Sequence, residues 1–448
     1  MRKLLKYIII AVTAFTISIL CIDRFPQLIA IVGLSVGCIY FIIRNIDREM
    51  QKRLIGLFLI AFLLQVSISL FFYGKTVDTE IYGFSYEGDD FIYGDFGMIV
   101  GDLWRRGIFP SLKKLGYYSV ASAPYASDIK PYQLYNAFIF YLFGTCGGQI
   151  ILILNCFFHA AIIIPIYFIC RDLDIKNNVM MFVFSLFLLW PSTFFWSLIN
   201  LKESAMLFSV FAALALYIRM REKPNFMNIL FLLFFIFIAC SLRRYLVIVF
   251  SVPMAYFFIS WKWRYKKVLI LFFLLLLILI QVSAKPIFPP DLYDLKLRNF
   301  PQQLFRARYD KGISNTGYFA NLLTPTYFST ALYFPFGVAA ILFLPFLLRP
   351  FTLFHIVANI ESIFWWSLLP FLLSGIWISM RAENLKKTFL ILVTFFCWLS
   401  ILALSQGNMG TLVRHKGIIY CIGFIFIGMA IDRTAKRISA YRDIGRKI

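Results

Sequence analysis

Leu54-Ile-Gly-Leu-Phe-Leu-Ile-Ala-Phe-Leu-Leu-Gln-Val-Ser-Ile-Ser-Leu-Phe-Phe-Tyr73 carries no charge over a length that matches the ~20 apolar residues a helix needs to cross a bilayer. It is followed, after a short gap, by Ser85-Tyr-Glu-Gly-Asp-Asp-Phe-Ile-Tyr-Gly-Asp-Phe-Gly-Met-Ile-Val-Gly-Asp-Leu-Trp104, where Glu87, Asp89, Asp90, Asp95 and Asp102 crowd together. Working outward from that junction of oil and acid, the same apolar signature recurs along the chain. Candidate spans fall at 5–22, 26–43, 54–73, 149–170, 179–199, 203–219, 226–242, 244–260, 267–284, 361–380, 388–406 and 417–432. The fold class expected is all-α: a polytopic transmembrane bundle of about twelve spans, read as a single integral-membrane domain over 1–448.

Composition agrees. The 448 residues are 61% hydrophobic and 15% charged, against about 45–50% and 25% in soluble domains, and no polar stretch is long enough for a large soluble domain. Arg2, Lys3 and Lys6 precede an apolar run without a small-residue cleavage site, which points away from a removable signal peptide. The formal charge of +22 sits in short loops between spans, a pattern that excludes nucleic-acid binding and follows the positive-inside rule. With the N-terminus inside, alternating spans place the clusters Arg44–Arg53, Arg171–Lys176, Arg219–Lys223, Lys262–Lys267, Arg381–Lys387 and Arg433–Lys447 in the cytoplasm, with both termini. Residues 329–348 would invert everything after them if they crossed, so 325–360 is expected to be a re-entrant or interfacial hairpin near the outer surface, with Pro335, Pro345 and Pro350 interrupting it. The eight cysteines lack metal-ligand spacing and read as buried thiols, and His159 as a core group.

Two outer loops result, 74–148 and 285–328. In the first, Ile92, Met98, Ile99 and Leu103 recur at helical spacing, predicting an amphipathic helix on the membrane, and 132–145 predicts a second interfacial helix. Asp89 and Asp90 open the first helix. They read either as a solvated turn or N-cap, or as a general base; they could also hold a divalent cation, Mg or Mn. Lys202 and Glu203 end a hairpin at the same face, as a surface ion pair or as a phosphate ligand. Arg243 and Arg244 interrupt apolar runs there against the charge bias, facing lipid headgroups or a bound phosphate. Gln406-Gly-Asn-Met-Gly-Thr-Leu-Val-Arg-His-Lys416 reads as a flexible anion-binding loop with Arg414 and His415. Loop 285–328 adds Lys296, Arg298, Arg306, Arg308 and Lys311, as a lid or as a lipid-facing segment.

These places resemble the GT-C superfamily of polytopic glycosyltransferases, in particular bacterial proteins similar to the glycosyltransferase 39 group. The residues that carry the resemblance are Asp89-Asp90, Tyr135-Asn-Ala-Phe-Ile-Phe-Tyr-Leu-Phe-Gly144, Pro191-Ser with Trp196-Ser and Leu201-Lys-Glu203, Leu242-Arg-Arg-Tyr-Leu246, and Gly407-Asn-Met-Gly-Thr with Arg414-His415. The resemblance implies a GT-C-like fold in a bacterial inner membrane and a polyprenyl-phosphate-linked sugar as donor. It also implies transfer on the non-cytoplasmic face, Asp89 or Asp90 as the acidic catalytic residue, and donor phosphate held by Lys202, Arg243, Arg244, Arg414 and His415. Asp95, Glu203, Tyr245, Asn408, Arg306 and Arg308 are additional candidates. Two extra spans within 1–50 precede the usual first span, and no sizeable C-terminal soluble domain is present, which points to a glycan or lipid acceptor. The alternatives are an O-antigen polymerase or ligase-like protein using a pyrophosphate-linked oligosaccharide, and a lipid-linked sugar transporter or flippase. The absence of an internal repeat and the one-sided clustering of charge disfavour the transporter.

Overall fold

The computed structural model describes residues 25–77, 89–111, 115, 130–222, 225–243, 246–247, 249–251, 302, 305, 326–344, 353–407 and 409–445. They are helical almost throughout, with no strand among them. In chain order the helices are α1 (Phe25–Asn45), α2 (Arg48–Val77), α3 (Asp89–Arg105), α4 (Pro131–Phe143), α5 (Gly147–Ala161), α6 (Ile163–Asp172) and α7 (Asn177–Leu189). Then follow α8 (Pro191–Ser197), α9 (Glu203–Glu222), α10 (Phe226–Leu242), α11 (Tyr327–Phe343), α12 (Leu353–Ser379), α13 (Ala382–Ser405) and α14 (Met409–Gly445).

Seven helical stretches among the described residues are long and apolar enough to cross a membrane: Pro26–Asn45, Arg48–Gly74, Pro131–Asp172, Glu203–Met220, Ile356–Ser379, Ala382–Ser405 and Leu412–Ser439. An eighth arises if α7 and α8, bent by 55° at Trp190–Pro191, form one broken span. This is a multi-pass membrane architecture. Of the expected spans, 5–22 and 267–284 and most of 244–260 lie outside the described residues, and 226–242 forms the 17-residue helix α10, just short of span length. The segment expected as a separate interfacial helix, 132–145, is helical as α4. It runs on through a 3-10 turn (Gly144–Cys146) into α5, because no polar break separates the two apolar stretches. Residues 353–360, the end of the expected hairpin, are helical and continue into the 27-residue α12. α11 carries Pro335 inside it without ending.

The residues divide into two compact units. One holds those within Met1–Ile166, Thr193–Ala213 and Phe234–Arg243; the other holds those within Tyr167–Ser192, Leu214–Leu233 and Arg244–Ile448. In the first, α5 packs on α1 and α2, and α3 packs closely on α4. The helix expected over 89–105 is present, but its packed face is Tyr93, Phe96, Gly97, Val100 and Gly101 rather than Ile92, Met98, Ile99 and Leu103, which are only half-buried. The reason is the two glycines. A Cβ on Gly97 would lie 2.7 Å from the Asn136 Cβ, and one on Gly101 would lie 2.6 Å from the Phe140 Cβ and 2.9 Å from the Ala137 carbonyl. Small residues four apart let the helix backbones meet. In the second unit α12 packs on α14, α11 on α13 and α7 on α14. Its aromatic core is Trp190, Trp365, Tyr420 and Phe424, with the Trp365 and Tyr420 rings 4.4 Å apart.

Candidate functional site

The first unit gathers its polar side chains around the turn 198–202 that joins α8 to α9. Non-helical backbone inside an apolar bundle must find hydrogen-bond partners within the protein, and here they come from α2, α4 and α5. The Ser69 hydroxyl donates to the Leu198 carbonyl at 2.6 Å, and the Asn155 amide donates to the Ile199 carbonyl at 2.9 Å. The Tyr132 hydroxyl donates to the Asn200 side-chain oxygen at 3.1 Å, and the Asn200 amide donates to that of Asn136 at 2.9 Å. Asn136 closes the chain by donating to the Tyr132 carbonyl at 2.8 Å. Asn136 and Asn155 are fully buried, so this network fixes the turn, and the turn fixes the two residues after it.

Those residues are Lys202 and Glu203. Glu203 begins α9, where a carboxylate suits the positive end of the helix dipole. Buried itself, it forms an ion pair with the half-buried Arg243, just past the end of α10. A guanidinium inside an apolar unit is held in place by such a partner. The Lys202 ammonium lies 5.9 Å from the centre of the Tyr93 ring, and the Lys130 ammonium 5.7 Å from the same centre. Tyr93 is buried on α3 and packs edge-on against Tyr132, ring centres 5.0 Å apart. The first residue of α3, Asp89, stands one turn before Tyr93 and therefore shares its side of the helix, whereas Asp95, two residues after Tyr93, points to the other side. Both are half-buried.

An ammonium group positioned over a ring can also meet the oxygens of an anion. Chemically the arrangement suits a phosphate beside a carboxylate. Among the described residues no three His, Cys, Asp or Glu side chains gather to hold a metal ion; the Asp90 side chain lies outside them.

Of the residues singled out in the sequence, Asp89, Lys202, Glu203 and Arg243 belong to this unit. Asp90 lies in the first turn of α3, with its side chain outside the described set; Arg244, Tyr245, Arg306, Arg308 and Asn408 also lie outside it. Arg414 and His415 belong to the second unit, in a different setting from the flexible loop expected. α14 already starts at Met409, so 414–416 are helical. His415 is buried with its Nδ1 3.0 Å from the Gln406 amide nitrogen, Lys416 is buried and donates to the Leu344 carbonyl at the end of α11, and Arg414 is half-buried. Facing Lys416 electrostatically is Glu361 of α12, also buried, which accepts the Ser192 N–H at 2.7 Å beside the bend between α7 and α8.

Sequence reading missed Tyr93, Lys130, Tyr132, Asn136, Asn155 and Asn200 in the first unit, and the Glu361–Lys416 pair in the second. A signal existed for several of them: a lone Asn or Glu inside an apolar helical run is costly unless it has a partner. His159, expected as a core group, is buried with its Nδ1 2.7 Å from the Gln65 amide nitrogen. The described cysteines are free thiols. No known family model matches this chain, and no curated protein is measurably similar to it.

Proposed function

We propose that the chain is a membrane glycosyltransferase of GT-C type. It would transfer a sugar from a polyprenyl-phosphate donor to a glycan or lipid acceptor on the non-cytoplasmic face of the membrane, in cell-envelope polysaccharide or glycolipid assembly. The observation that carries this reading is the meeting of Lys130 and Lys202 on Tyr93, one helical turn from Asp89, inside a unit made of apolar helices. A lipid-linked sugar phosphate has the complementary parts: an apolar tail, an anionic phosphate and a polar sugar. In the proposed step the acceptor hydroxyl oxygen bonds to the anomeric carbon while the bond from that carbon to the phosphate oxygen breaks. The hydroxyl proton passes to the Asp89 carboxylate. The departing phosphate keeps the electron pair, and Lys130, Lys202 and Arg243 stabilise the charge. Glu203 serves as the partner that orients Arg243.

The test uses a strain lacking the native gene, complemented with variants quantified in the membrane. Asp89→Asn should abolish the surface glycan and cause a monosaccharide-phosphate lipid to accumulate. Lys130→Met and Lys202→Met should each lower glycan output at least tenfold. Arg106→Gln, which removes only an exposed pair with Asp102, should be silent. Full activity of Asp89→Asn together with both lysine variants would overturn the proposal.

A further inference from the structure

At one end of the second unit three stretches of chain are knitted together by charge: the turn 173–176 after α6, the junction of α12 with α13, and the last third of α14. The Lys387 ammonium binds the Asp174 carboxylate at 2.8 Å, and Lys436 donates to the Asp174 carbonyl at 3.2 Å. Lys436 also pairs with Asp432 at 2.5 Å, and Asp432 accepts the Lys176 N–H at 3.1 Å. Arg171 pairs with Asp172 at 3.3 Å. Asp174 adopts a left-handed backbone (φ 56°), a conformation that Asp tolerates better than most residues, and so turns its carbonyl and carboxylate toward two different lysines.

Among the described side chains Glu383 is exposed, and the acids Asp172, Asp174 and Asp432 are thus consumed internally. The cations are not. Among the described residues Arg381, Lys386, Arg433 and Arg437 make no ion pair, and all but the half-buried Arg433 are exposed. Lys386 and Arg437 are chain neighbours of the two lysines that meet at Asp174, and Arg381 and Arg433 stand about one turn before them, so all four fall at this end of the unit. Exposed apolar side chains lie among them: Met380, Leu385 and Ile438. The depth of the patch follows from the helices. α12 and α13 each contain a candidate span, and the spans end and begin at 379 and 382, while that of α14 ends at Ser439. A junction so short between two spans sits at the level of the lipid headgroups.

We propose that this end of the second unit is a binding surface selective for anionic phospholipid. The phosphates lie across Arg381, Lys386, Arg433 and Arg437, and Met380, Leu385 and Ile438 enter the upper acyl region. Cations mixed with exposed apolar side chains at headgroup depth fit a charged lipid better than an acidic protein or a nucleic acid, which would meet the cations but leave the apolar groups in water. This surface stands apart from the site on Tyr93 and does not depend on the proposed transfer reaction.

Trp377, one turn before Arg381 and 66% exposed, is a built-in reporter. The purified full chain in mixed micelles is titrated with brominated phosphatidylglycerol or brominated phosphatidylcholine, and quenching is assigned to Trp377 by comparison with Trp377→Phe. The expected result is quenching at lower mole fraction of phosphatidylglycerol, weakened by salt. Each single change of Arg381, Lys386, Arg433 or Arg437 to Gln should reduce the preference up to about fivefold, from ~1 kcal/mol per cation at an anionic surface. The quadruple Gln variant should abolish it, with Lys387 and Lys436 left to hold the fold. Glu383→Lys should raise it by a similar factor, a gain that tests the surface even if the quadruple variant fails to fold. Equal quenching by the two lipids, or a preference that neither the Gln changes nor Glu383→Lys alters, would overturn the proposal. So would displacement of phosphatidylglycerol by millimolar inorganic phosphate, which would mean a site for a free anion.

Discussion

Changing Lys416 to methionine removes one of two opposite charges buried in the second unit, and its consequence can be worked out group by group. Lys416 and Glu361 are 1% and 3% exposed, and each holds a backbone group stranded at a helix end. Lys416 donates to the Leu344 carbonyl after α11, and Glu361 accepts the Ser192 N–H in the first turn of α8. Lys416→Met strands the carbonyl, at about 1–3 kcal/mol, and removes the cation that faces Glu361. Glu361→Gln keeps an oxygen toward Ser192 and removes the anion that faces Lys416. The two side chains are not in ion-pair contact, so their coupling acts through space and is about 0.5–3 kcal/mol. In the double variant no net charge remains, and only the stranded carbonyl is left, at about 1–3 kcal/mol. The assay is loss of monodisperse protein on heating in detergent, followed by size exclusion. Both single variants should aggregate at clearly lower temperature than the parent, and the double variant should recover most of the difference. Losses that simply add would refute the idea that the two charges compensate each other.

Three further outcomes are open to measurement. Gly101→Ala places a methyl group against the Phe140 Cβ and the Ala137 carbonyl, neither of which can swing aside; overpacking of about 1–3 kcal/mol should loosen α3 from α4 and raise protease cleavage around 106–111, while Gly107→Ala, in open space but at φ 76°, should affect only the local turn. Asn155→Ala leaves the Ile199 carbonyl without its donor, so a stability loss of about 1–3 kcal/mol should appear in the same heating assay. Arg243→Met should destabilise more than Glu203→Gln/Arg243→Met, because only the single variant takes the guanidinium away from a buried carboxylate; equal losses would show that the pair is not coupled.

The membrane architecture was legible because its signal is local. Twenty apolar residues in a row need no tertiary partner to be recognised, and helices formed wherever such a run was described, from α1 to α14. The face of α3 was not legible from apolar spacing. Gly97 and Gly101 add no hydrophobicity, yet they decide which side can approach α4. Lys202, Glu203 and Arg243 stood out as charges where apolar residues were expected, and the structure joins Glu203 to Arg243 across forty residues. Lys130 and Tyr93 did not stand out, since a lysine before a helix and a tyrosine within one are ordinary until a contact links them. Arg414, His415 and Lys416 were read in the wrong setting for a definite reason: Gly407 and Gly410 suggested a loop, whereas the helix begins between them and carries the next residues inward.

The two units handle buried charge in different ways, and the difference bears on where chemistry is to be sought. In the second, Glu361 and Lys416 are each spent on a backbone group at the end of a helix, so their charge supports irregular backbone within apolar surroundings. In the first, the same structural work at the turn 198–202 is done by neutral side chains, Ser69, Tyr132, Asn136, Asn155 and Asn200. Lys130 and Lys202 of the first unit lie instead at an aromatic ring whose attraction for a cation is about 0.5–2 kcal/mol. A contact of that size positions an ammonium group, and an incoming anion would meet it there. If this division of labour is right, Asn200→Ala should impair transfer by displacing Lys202, and supplying more donor should partly restore the rate. Lys202→Met should reduce the rate even at saturating donor, because the charge that stabilises the leaving phosphate is gone. A loss of rate in Asn200→Ala that no donor concentration relieves would place Asn200 in the reaction itself and break the argument.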